Sequence, residues 1–163
     1  MKLKPKVLVE GAAIAALYIV LTLLSFALNL SSGLIQLRLS EALCVLPFFS
    51  PVAVFGLFIG CFFANILTGA VFLDIVFGSI ATLVAAILAL WFKNLKFSRW
   101  LIPLPSVVVN ALIVGSLLVY AYGVTVPLYA AVLYVAAGQI LACYGIGMPL
   151  FYALEKSKIF LPK

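Results

Sequence analysis

The chain has 163 residues, of which 67% are apolar and only 9% are charged, whereas soluble domains have roughly 45–50% apolar and about 25% charged residues. So few charged groups cannot cover a globule, which excludes a soluble protein. At about 20 residues per crossing, six membrane-spanning helices fill most of the length and leave no room for a separate soluble domain. The net charge of +6 comes from basic residues at loop edges, which indicates membrane orientation and no nucleic-acid partner.

Apolar runs cover the chain in five blocks, at 7–28, 42–67, 75–92, 101–122 and 126–154. Basic residues before the first block, in the loop 93–100 and after the last block place all three on the cytoplasmic side. An even number of crossings must therefore precede Lys93, so one of the first three blocks is double. Pro47 and Pro51 interrupt the second block, because proline removes a backbone donor and restricts the residue before it.

We therefore predict a single all-α integral membrane domain, residues 1–163, with six transmembrane helices and cytoplasmic N- and C-termini. The second helix is too short to cross about 30 Å of hydrocarbon alone. It must be tilted, continued by residues 34–37, or shielded by protein. The first helix is expected to be retained, because its apolar run exceeds that of a signal peptide. The predicted helices cover about 7–29, 38–48, 52–67, 74–92, 101–122 and 126–154.

Polar side chains gather in the outer half of this predicted bundle, and the inner half has almost none. A polar group inside a membrane is costly, so it is a functional-site hypothesis by default. The asymmetry predicts a substrate-binding cavity that opens outward. Its candidate residues are Gln36, Arg38, Glu41, Asn65, Asp74, Asn110 and Gln139.

Each of these residues also has a structural interpretation. Arg38 and Glu41 are spaced as an i,i+3 ion pair, and Asp74 is placed to cap the fourth helix. The three amides are candidates for hydrogen bonds between helices. Their common placement favours a binding site over these separate explanations.

Helix 1 carries a small-residue face at Ala12 and Ala16, which allows another helix to approach closely. The face either binds a partner or packs within the chain.

The sequence has no His, which removes the usual general base and the commonest metal ligand. The three cysteines stand alone in apolar runs, and no P-loop occurs. We therefore predict no enzyme, no cofactor and no metal site.

Four stretches closely resemble the QueT family of queuosine-precursor transporters. They are Ile35-Gln-Leu-Arg-Leu-Ser-Glu-Ala-Leu-Cys-Val-Leu-Pro-Phe-Phe-Ser-Pro51, Gly56-Leu-Phe-Ile-Gly-Cys61, the pair Ala64-Asn65, and Asp74-Ile-Val-Phe-Gly-Ser-Ile-Ala-Thr82. The resemblance implies the substrate-binding (S) component of an energy-coupling factor (ECF) importer in a prokaryotic cell membrane, surrounded by lipid. It implies a 7-deazaguanine cargo such as preQ1 or queuine. The implied partners are a transmembrane coupling protein, reached through Ala12 and Ala16, and two cytosolic ATPases.

The chemistry of the candidate residues suits such a cargo. The edge of a guanine-like base offers N–H donors to one carboxylate, and an aminomethyl cation suits a second. Glu41 and Asp74 are the two carboxylates of the outer half, and the sequence leaves open which meets which group. Two alternatives remain: a proton-coupled carrier in which Glu41 or Asp74 relays the proton, and an S component for another vitamin.

Overall fold

The computed structural model describes residues 5–31 and 35–157. Over these residues the chain forms six helices and no strand, in agreement with the predicted order. Four of the helices are long and apolar enough to cross a membrane: α1, α4, α6, and α5 counted with the turn that precedes it. The helices are α1 Pro5–Ala27, α2 Leu39–Phe49, α3 Val52–Leu67, α4 Phe72–Asn94, α5 Leu104–Tyr120 and α6 Leu128–Ser157.

Most helix boundaries lie within three residues of their predicted positions. α1 ends at Ala27 rather than near residue 29, and Asn29 adopts a left-handed conformation with φ of 56°. α4 begins at Phe72, which makes Asp74 its third residue. α5 begins at Leu104, because Pro103 and Pro105 fit the first turn of a helix and cannot continue one from before.

The short helix α2 is accommodated by burial inside the bundle. Residues 40–47 are all buried, so protein shields the helix from lipid, as one of the three predicted solutions required. Its first part, Leu39–Val45, is a 3₁₀-helix. A 3₁₀-helix rises about 2.0 Å per residue against about 1.5 Å for an α-helix, so the same residues reach further.

The two ends of the bundle differ in chemistry. At what we call the polar end, the Arg38 side chain before α2 meets Asn65 at the end of α3 and Asp74 at the start of α4. At the basic end, the Lys93 ammonium lies 5.6 Å from the centroid of the Phe48 ring at the end of α2. α2 therefore runs from the polar end to the basic end.

The helices α1 and α3 run parallel and pack closely through two glycines of α3. A Cβ placed on Gly56 would lie 2.9 Å from Ile14, and one on Gly60 would lie 2.7 Å from the Cβ of Tyr18. The inward face of α1 is thus the one that carries Ile14 and Tyr18. Ala12 and Ala16 are both exposed, so packing within the described chain does not explain them.

The helix α6 contains a π-helical segment, Leu141–Ile146, and two glycines that make room for the region around α2. A Cβ on Gly138 would lie 2.2 Å from the backbone oxygen of Gln36, and one on Gly147 would lie 3.0 Å from that of Ala42. π-Helical turns occur frequently at functional sites. Here the segment begins two residues after Gln139, whose side chain lines the cavity described below.

Candidate functional site

A cavity occupies the polar half of the bundle, with about 340 Å³ of empty space when its open mouth is included. Five of the seven predicted site residues line it, and the remaining two, Asn65 and Asp74, are joined to it through Arg38. The fold therefore brings together the seven polar side chains that the sequence grouped. The lining residues are Gln36, Arg38, Glu41, Cys61, Gly78, Thr82, Asn110, Val114, Val135 and Gln139.

The deepest part of the site is built around Glu41, which is only 6% exposed. The Tyr18 hydroxyl donates a hydrogen bond to its Oε1, and the Asn110 amide donates one to its Oε2 at 3.0 Å. The same amide reaches Oε1 of Gln139 at 3.4 Å. We call these four residues the floor cluster. Every hydrogen-bond donor to the Glu41 carboxylate in it is neutral.

The interpretation of Arg38 and Glu41 as an ion pair is not supported, because Arg38 contacts a different carboxylate. Arg38 precedes the 3₁₀-helix in an extended conformation, with φ of −98° and ψ of 110°. The i,i+3 rule applies to residues on one helix, and Arg38 is not on the helix that carries Glu41. Its guanidinium instead contacts Oδ2 of Asp74 at 3.5 Å.

Asp74, which is 1% exposed, centres a second group of side chains that we call the mouth cluster: Arg38, Asn65, Asp74 and Tyr122. Its Oδ2 accepts a hydrogen bond from the Tyr122 hydroxyl at 2.8 Å in addition to the Arg38 contact. Arg38 also donates to Oδ1 of Asn65 at 3.1 Å. The amide of Asn65 in turn donates to the backbone oxygen of Asp74 at 3.2 Å, which connects α3 to α4.

The interpretation of Asp74 as a hydrogen-bonding helix cap is not supported by its position. Asp74 lies inside the first turn of α4, and no side chain makes a capping hydrogen bond at that terminus. Its charge still lies near the helix N-terminus, where the dipole favours an anion. Its Oδ2 accepts hydrogen bonds from Arg38 and Tyr122 of the mouth cluster rather than from the helix backbone.

Tyr122 keeps its proton and therefore acts as a donor to Asp74. Burial, together with the negative charge of the neighbouring Asp74 carboxylate, raises the pKa of Tyr122 to about 12. Since an anion beside the phenol disfavours its ionisation, the hydroxyl remains neutral at physiological pH.

Glycine at position 78 gives Asp74 the space for its second oxygen. A Cβ on Gly78 would lie 2.5 Å from Oδ1 of Asp74. That oxygen is buried and has no hydrogen-bond partner among the described residues. Gly78 itself lines the cavity, whereas Asp74 is not among the residues that line it.

Sequence reasoning missed Tyr18 and Tyr122, the two phenols that donate to the two carboxylates. Neither stands out along the chain, because Tyr18 lies in an apolar helix and Tyr122 in a loop. The smaller residues Cys61, Gly78 and Thr82 were also not singled out as wall residues.

A second cavity of about 240 Å³ also borders Glu41. Its lining residues are Tyr18, Ser40, Glu41, Cys44, Leu57, Thr82, Ala86 and Ser106.

The site can bind a flat, polar molecule through directed hydrogen bonds. Carboxylate oxygens accept, and the amides of Asn110 and Gln139 both donate and accept. Val114 and Val135 supply apolar wall, a common composition for small-molecule pockets. In the part of the chain that the structure describes, no group of three His, Cys, Asp or Glu side chains is placed to hold a metal ion.

Comparison with known proteins gives two matches. A family model described as "QueT transporter" matches residues 8–156. The "Queuosine precursor transporter QueT" of Lactococcus lactis subsp. cremoris (strain MG1363) is 36% identical over 77 residues, which are 47% of this chain and 45% of that protein. The aligned region thus spans less than half of the relative. No solved structure matches the chain.

Proposed function

Because the chain belongs to the QueT transporter family, we propose that it captures a queuosine precursor, a 7-deazaguanine such as preQ1 or queuine, from outside the cell. In this proposal the chain is the S component of an ECF importer. It hands the ligand inward after docking on a transmembrane coupling protein driven by two cytosolic ATPases. Both ends of the chain face the cytoplasm, and the cavity opens to the exterior.

The observation that carries the substrate proposal is the floor cluster. A guanine-like base presents adjacent N–H donors on one edge and a carbonyl acceptor beside them. The Glu41 carboxylate offers two acceptor oxygens, and the amides of Asn110 and Gln139 offer donors for the carbonyl. Hydrogen bonds to a carboxylate are stronger than neutral ones. A buried carboxylate between two amides therefore matches this edge better than it matches an apolar vitamin ring.

Direct binding tests the substrate. The purified chain in detergent is titrated with preQ1, queuine, guanine, thiamine and riboflavin, by calorimetry and by thermal unfolding, without ATP. We expect one deazaguanine to bind per chain. Ligand at 100 times its dissociation constant should add about 2.7 kcal/mol of stability. A clear shift with thiamine or riboflavin and none with a deazaguanine would contradict the substrate and favour the alternative vitamin cargo.

The exposed face of α1 supports the docking part of the proposal. Ala12 and Ala16 lie one turn apart and are exposed, whereas the opposite face of α1 packs on α3 through Ile14 and Tyr18. Small side chains allow two helices to approach closely within a membrane. A partner helix can therefore bind this face without disturbing the contacts that hold α1 in the bundle.

Enlarging this face tests the docking. We expect Ala12→Trp combined with Ala16→Trp to abolish cellular uptake and co-purification with the ATPase module, while the isolated chain still binds ligand. The matched control is Val20→Trp with Leu24→Trp, which lie further along α1 and are also exposed. The contrary outcome is uptake by the Ala12→Trp, Ala16→Trp variant in cells that lack the ATPases, with a protonophore abolishing that uptake. It would favour the proton-coupled carrier and overturn the S-component assignment.

A further inference from the structure

Three side chains on one face of α1 make hydrogen bonds to three consecutive residues at the start of α2. Ser25 Oγ accepts a hydrogen bond from the backbone N–H of Leu39 at 2.8 Å. Thr22 Oγ1 and the Ser40 hydroxyl lie 2.8 Å apart in a second hydrogen bond. The third is the bond from the Tyr18 hydroxyl to the carboxylate at the centre of the floor cluster. Because these α1 residues are spaced four and three apart, they lie on one side of the helix, and we call them the hydroxyl row: Tyr18, Thr22 and Ser25.

The hydroxyls of Thr22 and Ser25 differ from other helix hydroxyls of this chain in having a partner on a second helix. Serine and threonine in helices commonly bond to a backbone oxygen of the preceding turn. Ser79 and Thr68 make bonds of this kind alone in the described structure. Thr22 and Ser25 make them as well, to the residues four positions earlier, and each adds a bond to α2. These added bonds are shielded from water, since Thr22 is 3% exposed and Ser25 is 0% exposed.

The bond from Leu39 to Ser25 replaces a missing helix cap. The first N–H groups of a helix have no acceptor within that helix, and a side chain just before the helix usually supplies one. Here the preceding residue, Arg38, makes no capping hydrogen bond with its side chain. The acceptor comes from α1 instead. The start of α2 is therefore fixed by a neighbouring helix rather than by its own sequence.

The hydroxyl row reaches the candidate site only through residues 39–41. Thr22 and Ser25 are not among the residues that line either cavity described above. The segment that they hold ends at Glu41, which borders both cavities. A side chain that is already fixed before a ligand arrives binds it more tightly, because less conformational freedom is lost on binding.

We infer that Thr22 and Ser25 are positioning residues, which fix residues 39–41 so that the Glu41 carboxylate is held in place for the ligand. The inference rests on the proposed function, because it takes the cavity as a ligand-binding site. It assigns an effect on ligand affinity to two side chains that do not touch the ligand. If the hydroxyl row were only structural, its loss would lower the temperature of unfolding and leave the affinity of the folded chain unchanged.

Matched hydroxyl deletions test the inference. The full chain in detergent is titrated calorimetrically with preQ1 (7-aminomethyl-7-deazaguanine), well below its unfolding temperature. Thr22→Val keeps the shape of the side chain and Ser25→Ala removes a single oxygen, and each should weaken binding about twofold to tenfold, the range of one neutral hydrogen bond. Thr22→Ser retains the hydroxyl and should bind as wild type does. The controls are Thr68→Val and Ser79→Ala, which should also match wild type.

Amide hydrogen exchange provides a second measurement, which needs no ligand. Exchange at residues 39–41 should rise in Thr22→Val and in Ser25→Ala, because local opening of this segment becomes easier, and it should not rise in the two controls. Wild-type affinity in both variants, or unchanged exchange at residues 39–41, would overturn the inference. Failure of the wild-type chain to bind any deazaguanine would instead contradict the proposed function, and the exchange result would still decide whether the hydroxyl row positions this segment.

Discussion

The floor cluster and the mouth cluster each contain a buried carboxylate, yet they treat its charge in different ways. Glu41 is held by a phenol and an amide, all neutral, at the centre of the bundle. Asp74 contacts a guanidinium and a phenol that is 40% exposed, and its other oxygen has no hydrogen-bond partner among the described residues. Burial is similar for the two side chains, so burial alone does not decide what a carboxylate does. The hydrogen-bond donors around each carboxylate determine how it interacts.

This difference separates a neutral hydrogen-bonding network from an ion pair. The floor cluster holds its carboxylate with neutral hydrogen-bond donors alone, and each oxygen of Glu41 can accept a further hydrogen bond. The mouth cluster holds its carboxylate in an ion pair with Arg38, so its interactions depend on charge. Substitutions that remove one donor or one charge at a time distinguish the two behaviours.

The largest effect is expected for Glu41→Gln. The amide of glutamine places an N–H₂ group against either Tyr18 or Asn110, both of which donate in the wild-type structure. Ligand affinity should fall about tenfold to a hundredfold, as expected for a lost hydrogen bond to a charged group. Calorimetric titration with 7-aminomethyl-7-deazaguanine measures it. Glu155→Gln, at the exposed pair with Arg99, is the control, and wild-type affinity in Glu41→Gln would refute the role of the floor cluster.

The next effect, on stability rather than on affinity, is expected for Arg38→Met, which keeps the apolar stem of the side chain and removes its charge. The pair with Asp74 has an N–O distance of 3.5 Å and Arg38 is 18% exposed, so solvent weakens it. Because Asp74 is only 1% exposed and loses its cation, the free energy of unfolding should fall by about 1–3 kcal/mol, the cost of a buried acceptor left without its partner. Thermal unfolding in detergent measures the change.

The double variant Arg38→Met with Asp74→Asn sharpens this test. Because the second substitution removes the charge that the first leaves unpaired, the double variant should be destabilised by less than the sum of the single ones. Strict additivity would show that Arg38 and Asp74 do not interact in the folded protein.

The smallest effect is expected for Tyr122→Phe. It removes one hydrogen bond of 2.8 Å to Asp74 at a side chain that water also reaches, so the loss should be about 0.5 kcal/mol, the lower end of the usual range. Thermal unfolding again measures it, with the exposed Tyr129→Phe as control. A loss as large as that of Arg38→Met would mean that Tyr122, and not the ion pair, holds Asp74 in place.

The number and order of the helices were predictable from the sequence. A run of apolar residues must be helical in a bilayer because its backbone groups need partners, and prolines mark where such a run breaks. The same reasoning found the double second block, because the positions of the basic residues required it. The 3₁₀ form of α2 was not predictable, since it depends on how much room the surrounding helices leave.

The grouping of the polar side chains was predictable as well, but their pairing was not. Polar residues in apolar helices are conspicuous, and all seven candidates lie in or beside the cavity. Local spacing suggested only Glu41 as a partner for Arg38, because a residue 36 positions away leaves no signal in the sequence. Tyr18 and Tyr122 were missed, because a tyrosine in or near an apolar helix has no pattern that distinguishes a donor from a packing residue.

The sequence by itself thus determined an all-α membrane protein, its helices and the half of the bundle that holds its polar groups. These follow from the cost of placing charge and unpaired backbone in hydrocarbon, which is a property of each segment alone. Only the tertiary structure decided which donor meets which carboxylate. Glu41 finds its donors 23 and 69 positions away and Asp74 finds its own 36 and 48 positions away, and such contacts arise only when separate helices pack together.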